Sequence, residues 1–285
     1  MISQEFDFEA PSALPEALAL LARHGDDATL LSGGMSLMPM TTLGLVQPGM
    51  IISLNHIAEL DYVREDGNEL RIGALTRHAD VAADPLIGAH AALLAEAASL
   101  IGDVQVRNRG TIGGSIAHAD PAANYLPAML ALGARLRLQS EAGERSVEAK
   151  DFVKGIMTTA IETGEMLTEI AIPKLAAGTG CSYQRLVRVE GNFAIVIAAA
   201  ITEPGRKAAR VGLGNVAPGP VLVDVSGHLG NGLDDAALAA IGDAAFDAAA
   251  EAASDLAGDA NYRREMARVF ARRAVQSATD AADAG

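Results

Sequence analysis

Arg107-Asn108-Arg109-Gly110-Thr111-Ile112-Gly113-Gly114-Ser115-Ile116-Ala117-His118-Ala119-Asp120-Pro121 is the stretch whose reading decides the fold. Three glycines stand among arginines and hydroxyl side chains, a density that an ordinary turn does not require. A shorter counterpart lies upstream, Leu31-Ser32-Gly33-Gly34-Met35-Ser36-Leu37. Each follows an apolar segment. Glycine reaches positive φ and lets a ligand approach the backbone, and successive N–H groups in such turns form concave nests for anions. Two nests with flanking hydroxyls suit an extended, pyrophosphate-bearing cofactor better than a single phosphate. Neither loop has the GxGxxG spacing of a dinucleotide turn or the lysine of a P-loop. Taken alone, the shorter loop reads equally well as a tight strand-to-loop turn.

Composition narrows the field. A chain of 285 residues, half of them hydrophobic, can bury a large core and is expected to form two domains. The net charge of −14 argues against nucleic acid or an anionic membrane as partner. The single cysteine, Cys181, excludes an intrachain disulfide framework and a cysteine-ligated iron–sulfur cluster. It reads as a small buried residue. The six histidines lack a metal-binding spacing such as HExxH. Met1–Pro11 is acidic without an apolar h-region, so the expected compartment is the reducing cytoplasm.

Outward from the loops, the pattern predicts a helix over Pro15–Arg23 with Ser12 as N-cap and Gly25 as stop. Strands are predicted at Thr29–Leu31, Met50–Leu54, Glu69–Ile72, Arg135–Gln139 and Glu169–Ile172. Helices are predicted at Ala91–Ile101 and Ala123–Leu132. Without the regular spacing of a doubly wound sheet, this part reads as α+β. Leu175–Gly180 reads as a linker, followed by a meander of Ser182–Arg188, Phe193–Ile201 and Arg210–Val216. Near the end, Asp243, Asp247, Glu251, Asp255 and Asp259 recur every four residues along one predicted helix, where like charges cost roughly 0.2–0.5 kcal/mol per pair. Ala245, Phe246, Ala249, Ala253 and Leu256 form its apolar side. A basic helix with Arg263, Arg264, Arg268, Arg272 and Arg273 follows, apolar at Met266, Phe270 and Ala274. The two read as an antiparallel pair.

Both loops, with Phe8-Glu9-Ala10-Pro11, Ile72-Gly73-Ala74-Leu75-Thr76, Gly164-Glu165-Met166-Leu167-Thr168-Glu169-Ile170, Phe193-Ala194-Ile195-Val196 and Tyr262-Arg263-Arg264, resemble the medium, flavin-binding subunit of the molybdenum hydroxylases. That family includes carbon monoxide dehydrogenase, quinoline and nicotine oxidoreductases and xanthine dehydrogenase. The resemblance covers nearly the whole chain. It implies a two-lobed flavin domain of the vanillyl-alcohol-oxidase (PCMH) type over residues 1–177. A C-terminal domain of three-stranded antiparallel sheet plus helices would span 178–285.

The resemblance also implies FAD. Ser32, Gly33, Gly34, Met35, Ser36 and Leu37 would hold its pyrophosphate, through backbone N–H groups and the Ser36 hydroxyl. Thr111, Ile112, Gly113, Gly114 and Ser115 would run along its ribityl and ring side. Leu167 would pack near the flavin, with Asn124 close by, and Arg185 would place a cation near the pyrimidine edge. Ser32, Met35, Ser115, Asn124 and Asn192 depart from the commonest family pattern. His78, His118 and Tyr183 are read equally as cofactor contacts or as structural residues. The implied partners are a large molybdenum-cofactor subunit and a small subunit with two [2Fe–2S] clusters, in a dimer of heterotrimers. Electrons would pass from those clusters through FAD to an external acceptor, with no catalytic side chain or metal site on this chain. The alternatives are a self-sufficient flavin-dependent reductase and a non-catalytic flavin-binding module.

Overall fold

A computed structural model describes residues 5–203, 205, 207–229 and 232–284. The extreme ends of the two expected domains therefore lie outside the described residues. The chain begins with β1 (Asp7–Glu9), α1 (Leu14–His24), β2 (Ala28–Leu31), α2 (Leu37–Thr42) and β3 (Met50–Ser53). These strands form a small parallel sheet in the order β1-β3-β2. Helix α1 buries Ala17, Leu18 and Leu21, the four-residue recurrence expected of an amphipathic helix. Its N-cap is Ala13 rather than Ser12; the Ser12 N–H instead donates to Glu16 Oε2 at 3.1 Å. Gly25, at φ 53°, ends it.

The second lobe opens with the hairpin β4 (Val63–Asp66) and β5 (Glu69–Gly73). Six helices follow: α3 (His78–Ala83), α4 (Pro85–His90), α5 (Ala92–Ser99), α6 (Val104–Arg109), α7 (Ile112–His118) and α8 (Tyr125–Leu132). Then come β6 (Arg135–Ser140), β7 (Gly143–Glu148), α9 (Ala149–Phe152), the small hairpin β8 (Val153–Gly155) and β9 (Thr158–Thr159), and β10 (Met166–Pro173). An antiparallel sheet runs β4-β5-β10-β6-β7. The two-lobed α+β expectation holds. Strands β1 and β4 carry exposed, charged residues and had no apolar run to announce them.

The last part is a four-stranded antiparallel sheet, β11 (Gly180–Leu186), β12 (Val196–Glu203), β13 (Ala208–Gly214) and β14 (Val221–Asp224), with α10 (Asp235–Ala248) and α11 (Ala260–Ala284). The expected meander is there, with a fourth, short edge strand beyond the three expected. Strand β12 is buried on both faces. Val196, Ala198 and Ala200 join the core under α10 and α11, while Ile197, Ala199 and Ile201 join the core of the second lobe. The period of two sends alternate side chains to opposite faces. Helix α8 lies on the lobe side, so closely that a Cβ at Gly212 would fall on the Pro127 carbonyl.

The period-four acidic run is not one helix. Helix α10 stops at Ala248. Asp255 lies in the following turn, accepting from the Ala257 and Gly258 amides and pairing with Arg263 at 2.5 Å. Asp259 accepts from Tyr262 N–H at the start of α11. Leu256, assigned to an apolar side, is 98% exposed. Turn chemistry outcompetes a helix that would stack like charges on four-residue spacing. The antiparallel pairing survives in the Asp243–Arg268 ion pair at 3.1 Å.

Candidate functional site

Both glycine loops open on one large cleft of about 810 Å³ between the lobes, within the range of small-molecule sites. One wall comes from the end of β2 and the first loop. The other comes from Ala74, Leu75, the second loop and the start of β10. Gly191, Asn192 and Phe193, from the connection between β11 and β12, close one side.

The two loops have different jobs. In the first, Gly34 takes φ 75° and α2 starts at Leu37. Among the described residues, the amides of Gly33, Gly34, Met35 and Ser36 donate to no protein acceptor. This is a nest with its donors free. In the second, the amides are spent inside the protein. Ile112 N–H donates to Thr76 O at 3.0 Å, Gly113 N–H to Ala74 O at 2.9 Å, Gly114 N–H to Thr111 Oγ1 at 3.1 Å and Ser115 N–H to Thr111 O at 3.1 Å. The second loop is therefore not the second nest that its composition implied. Its glycines serve close packing of protein on protein. A Cβ at Gly113 would lie 2.5 Å from Ala74 Cβ, one at Gly110 would lie 2.6 Å from His78 Nε2, and one at Gly33 would fall on the Arg109 carbonyl.

That packing is anchored deep in the sheet. Ala74 N–H donates to Thr168 O at 3.0 Å, beside the irregularity that shifts the register of β10 between Leu167 and Glu169. A bulge of this kind re-aims a side chain; Leu167 is buried and lines the cleft. Next to it, the Glu169 carboxylate is 2% exposed and accepts from Tyr62 Oη at 2.6 Å and Arg71 Nη1 at 2.8 Å. Burial and the hydrogen bond to Glu169 push the Tyr62 phenol up to about 12. Tyr62 O in turn accepts from Gly73 N–H, fixing the strand end that leads into the cleft.

Of the expected cofactor residues, Ser32, Gly33, Gly34, Met35, Ser36, Leu37, Thr111, Gly113, Gly114, Ser115, Asn124 and Leu167 line the cleft. Ile112 and Arg185 are not in its lining. Ile112 is fully buried in the lobe core. Arg185 Nη1 donates to Leu100 O at 2.6 Å and Nη2 to Glu190 at 2.5 Å, so its guanidinium is engaged by protein acceptors. It steadies Leu100, Ile101 and Gly102, which do line it. Asn124 Nδ2 donates to Ala97 O, and its own carbonyl accepts from Tyr183 Oη at 3.1 Å. Tyr183 is buried as a structural support, not a cleft residue.

His78 lines the cleft but is 4% exposed and shares a 3.0 Å hydrogen bond with Tyr125 Oη. Burial, then the Arg77 and Arg107 cations, lower its pKa to about 4, so it is neutral at pH 7. His118 also lines the cleft.

No lysine or arginine among the described residues lines the cavity, and its carboxylates are engaged, the exposed Glu162 only by Arg145 at 3.5 Å. Asp26 accepts from Thr163 Oγ1 at 2.8 Å, a tie across the two lobes. Asp120 accepts from Ala122 N–H. Glu165 is gripped by Arg145 at 2.6 and 2.7 Å, which holds its carboxyl below the usual range. The donor set thus fits a diphosphate held by neutral amides and hydroxyls. The apolar lining of Leu21, Leu54, Leu75, Ile161 and Leu167 fits flat ring systems on either side. Sequence reasoning missed Leu54, Leu75 and the Asp26–Thr163 tie. Apolar residues carry no mark that separates cleft from core, and the tie joins residues 137 apart. Among the described residues, no group of three or more metal-ligating side chains converges, and no helix is long and apolar enough to cross a membrane.

Residues 4–175 match the family described as the FAD binding domain in molybdopterin dehydrogenase, and residues 181–278 match the CO dehydrogenase flavoprotein C-terminal domain. The carbon monoxide dehydrogenase medium chain of Hydrogenophaga pseudoflava is 41% identical over 98% of both chains. Among solved structures, reconstituted CO dehydrogenase from Oligotropha carboxidovorans superposes with a TM-score of 0.93 at 38% identity, over 99% of this chain and 100% of that one. Quinoline 2-oxidoreductase from Pseudomonas putida 86 gives 0.92 at 33% identity over 99% of each.

Proposed function

Since the chain belongs to the family of FAD-binding medium subunits of the molybdenum hydroxylases, we propose that it is the flavin station of a three-subunit oxidoreductase. A large subunit would carry the molybdenum cofactor and oxidise the substrate. A small subunit would carry [2Fe–2S] clusters, and the assembly would be a dimer of heterotrimers working in the cytoplasm. When bound, FAD supplies an electron carrier between those clusters and an external acceptor.

This chain's own residues bind and orient. The free amides of Gly33–Ser36 and the hydroxyls of Ser36 and Ser115 would take the diphosphate and ribityl chain. Leu75, Leu167 and Phe193 would exclude water from the ring system. His78, neutral and tied to Tyr125, adds no charge to the cleft. Domain limits of 1–177 and 178–285 accompany this reading. The observation that carries it is the nest of unpaired amides at the edge of a cleft with apolar walls.

Spectroscopy of the isolated chain, with metal analysis, tests the cofactor assignment. One flavin per chain with neither iron nor molybdenum is expected; stoichiometric iron, or no flavin bound under any condition, overturns it. Stopped-flow spectra of complete and flavin-depleted complexes test the relay. Cluster reduction that survives flavin removal while acceptor reduction is lost supports it. Substrate oxidation by the isolated chain at the rate of the complex would make it a stand-alone reductase.

A further inference from the structure

The two loops meet through a pair of hydroxyls. Thr111 Oγ1 lies 3.1 Å from Ser32 Oγ and accepts a 3.1 Å hydrogen bond from Gly114 N–H. Thr111 is buried, whereas Ser32 is half-buried and lines the cleft directly before the free amides of Gly33–Ser36. Each hydroxyl has one hydrogen to give. If Ser32 donates to Thr111, the pair merely latches the loops. If Thr111 donates to Ser32, the Ser32 hydrogen is left for the cavity. An anion on the neighbouring amides selects the second direction, because it rewards a donor that faces it and repels an exposed oxygen lone pair.

Resting on the reading that this cleft holds FAD, we propose that the Ser32 hydroxyl donates to the bound diphosphate and that Thr111 is the positioning residue that directs it. The chain of donors runs from Gly114 N–H to Thr111 Oγ1, from Thr111 to Ser32, and from Ser32 to the anion. Bonds in such a chain polarise one another. With no cation among the described residues lining the cleft, this relay adds a donor where a lysine or arginine would otherwise serve.

The test titrates the flavin-free full-length chain with FAD and with riboflavin, which has the same ring and no phosphate. Ser32→Ala is expected to weaken FAD about tenfold, the scale of one hydrogen bond to a charged group, and to leave riboflavin unchanged. Thr111→Val should do the same, and the double variant should lose little more than either single one. Thr111→Ser, which keeps the hydroxyl, should restore FAD affinity. Ser32→Ala leaves the Thr111 cap of α7 intact, so it carries the test even if Thr111→Val melts early. Equal losses for FAD and riboflavin, unchanged FAD affinity in Ser32→Ala, or additive losses in the double variant would each overturn the relay. Failure of the unsubstituted chain to bind FAD would instead sink the cofactor reading on which it rests.

Discussion

At the scale of single residues, the glycines of the second loop are there for other protein atoms. A Cβ at Gly114 would lie 2.5 Å from Ser32 Oγ and 2.8 Å from Thr111 Oγ1. Gly114 sits inside α7 and is not among the residues with positive φ, so backbone strain is not the issue. Gly114→Ala is therefore expected to push the hydroxyl pair apart, an overpacking cost of about 1–3 kcal/mol. Flavin titration beside circular dichroism should show weaker FAD binding with secondary structure retained; unchanged affinity would show that the loops need not touch. His78 gives a pH prediction. Its folded pKa of about 4 lies below the ordinary 6.5, so the unfolded chain binds the extra proton between those values. Stability is then whole above pH 6.5 and falls as pH drops toward 4, by up to roughly 3 kcal/mol in all. Denaturant midpoints between pH 5 and 6.5 should slope downward with acid, and His78→Gln should flatten that slope. A slope unchanged by the substitution would place its origin elsewhere.

Among elements, the informative contacts are those that hold one segment still for another. Arg185 on β11 binds the carbonyl at the end of α5, where Leu100–Gly102 meets the cleft. The family resemblance implied a cation near the flavin; the hydrogen bonds to Leu100 and Glu190 fit a brace for the cleft wall. Arg185→Gln is expected to lower the melting temperature, on the scale of a lost buried hydrogen bond of about 1–3 kcal/mol, while leaving the flavin midpoint potential unchanged. A clear shift in potential on spectroelectrochemical titration would restore the electrostatic role. Arg263 on α11 braces in the same manner. It is 2% exposed, and its Nη1 donates to Ile195 O at 2.6 Å and Asn215 O at 3.2 Å. That ties the C-terminal helix to the segment that carries Phe193 into the cleft.

Over the whole molecule, the two domains share a core. Ile197, Ala199, Ile201 and Tyr183 pack with α8, whose eight residues are all buried. Asn215 N–H donates to Pro121 O at 2.9 Å, and Arg210 bonds the Ala131 carbonyl. A chain ending at residue 177 would expose this apolar face of α8. It is expected to aggregate or to bind a hydrophobic dye without a cooperative melt, whereas the full chain melts cooperatively. A soluble, cooperatively melting 1–177 fragment that binds FAD would show that the flavin domain stands alone.

The local patterns already determined much of this molecule. The helix stop at Gly25, the buried strands expected at Met50–Leu54 and Phe193–Ile201 and found at Met50–Ser53 and Val196–Glu203, and the antiparallel meander are written in apolar periodicity and residue type. Those signals act over a few neighbours, where φ preferences and side-chain alternation decide. Only the tertiary structure decided which loop keeps its amides free, because Ala74, Thr76 and Thr111 must first arrive as acceptors. The same holds for Arg185, whose partner Leu100 is 85 residues away, and for Asp255, which leaves the helical repeat to pair with Arg263. A hydrogen-bonding group shows its type in the sequence. Its partner is settled only when the fold has placed every competing acceptor.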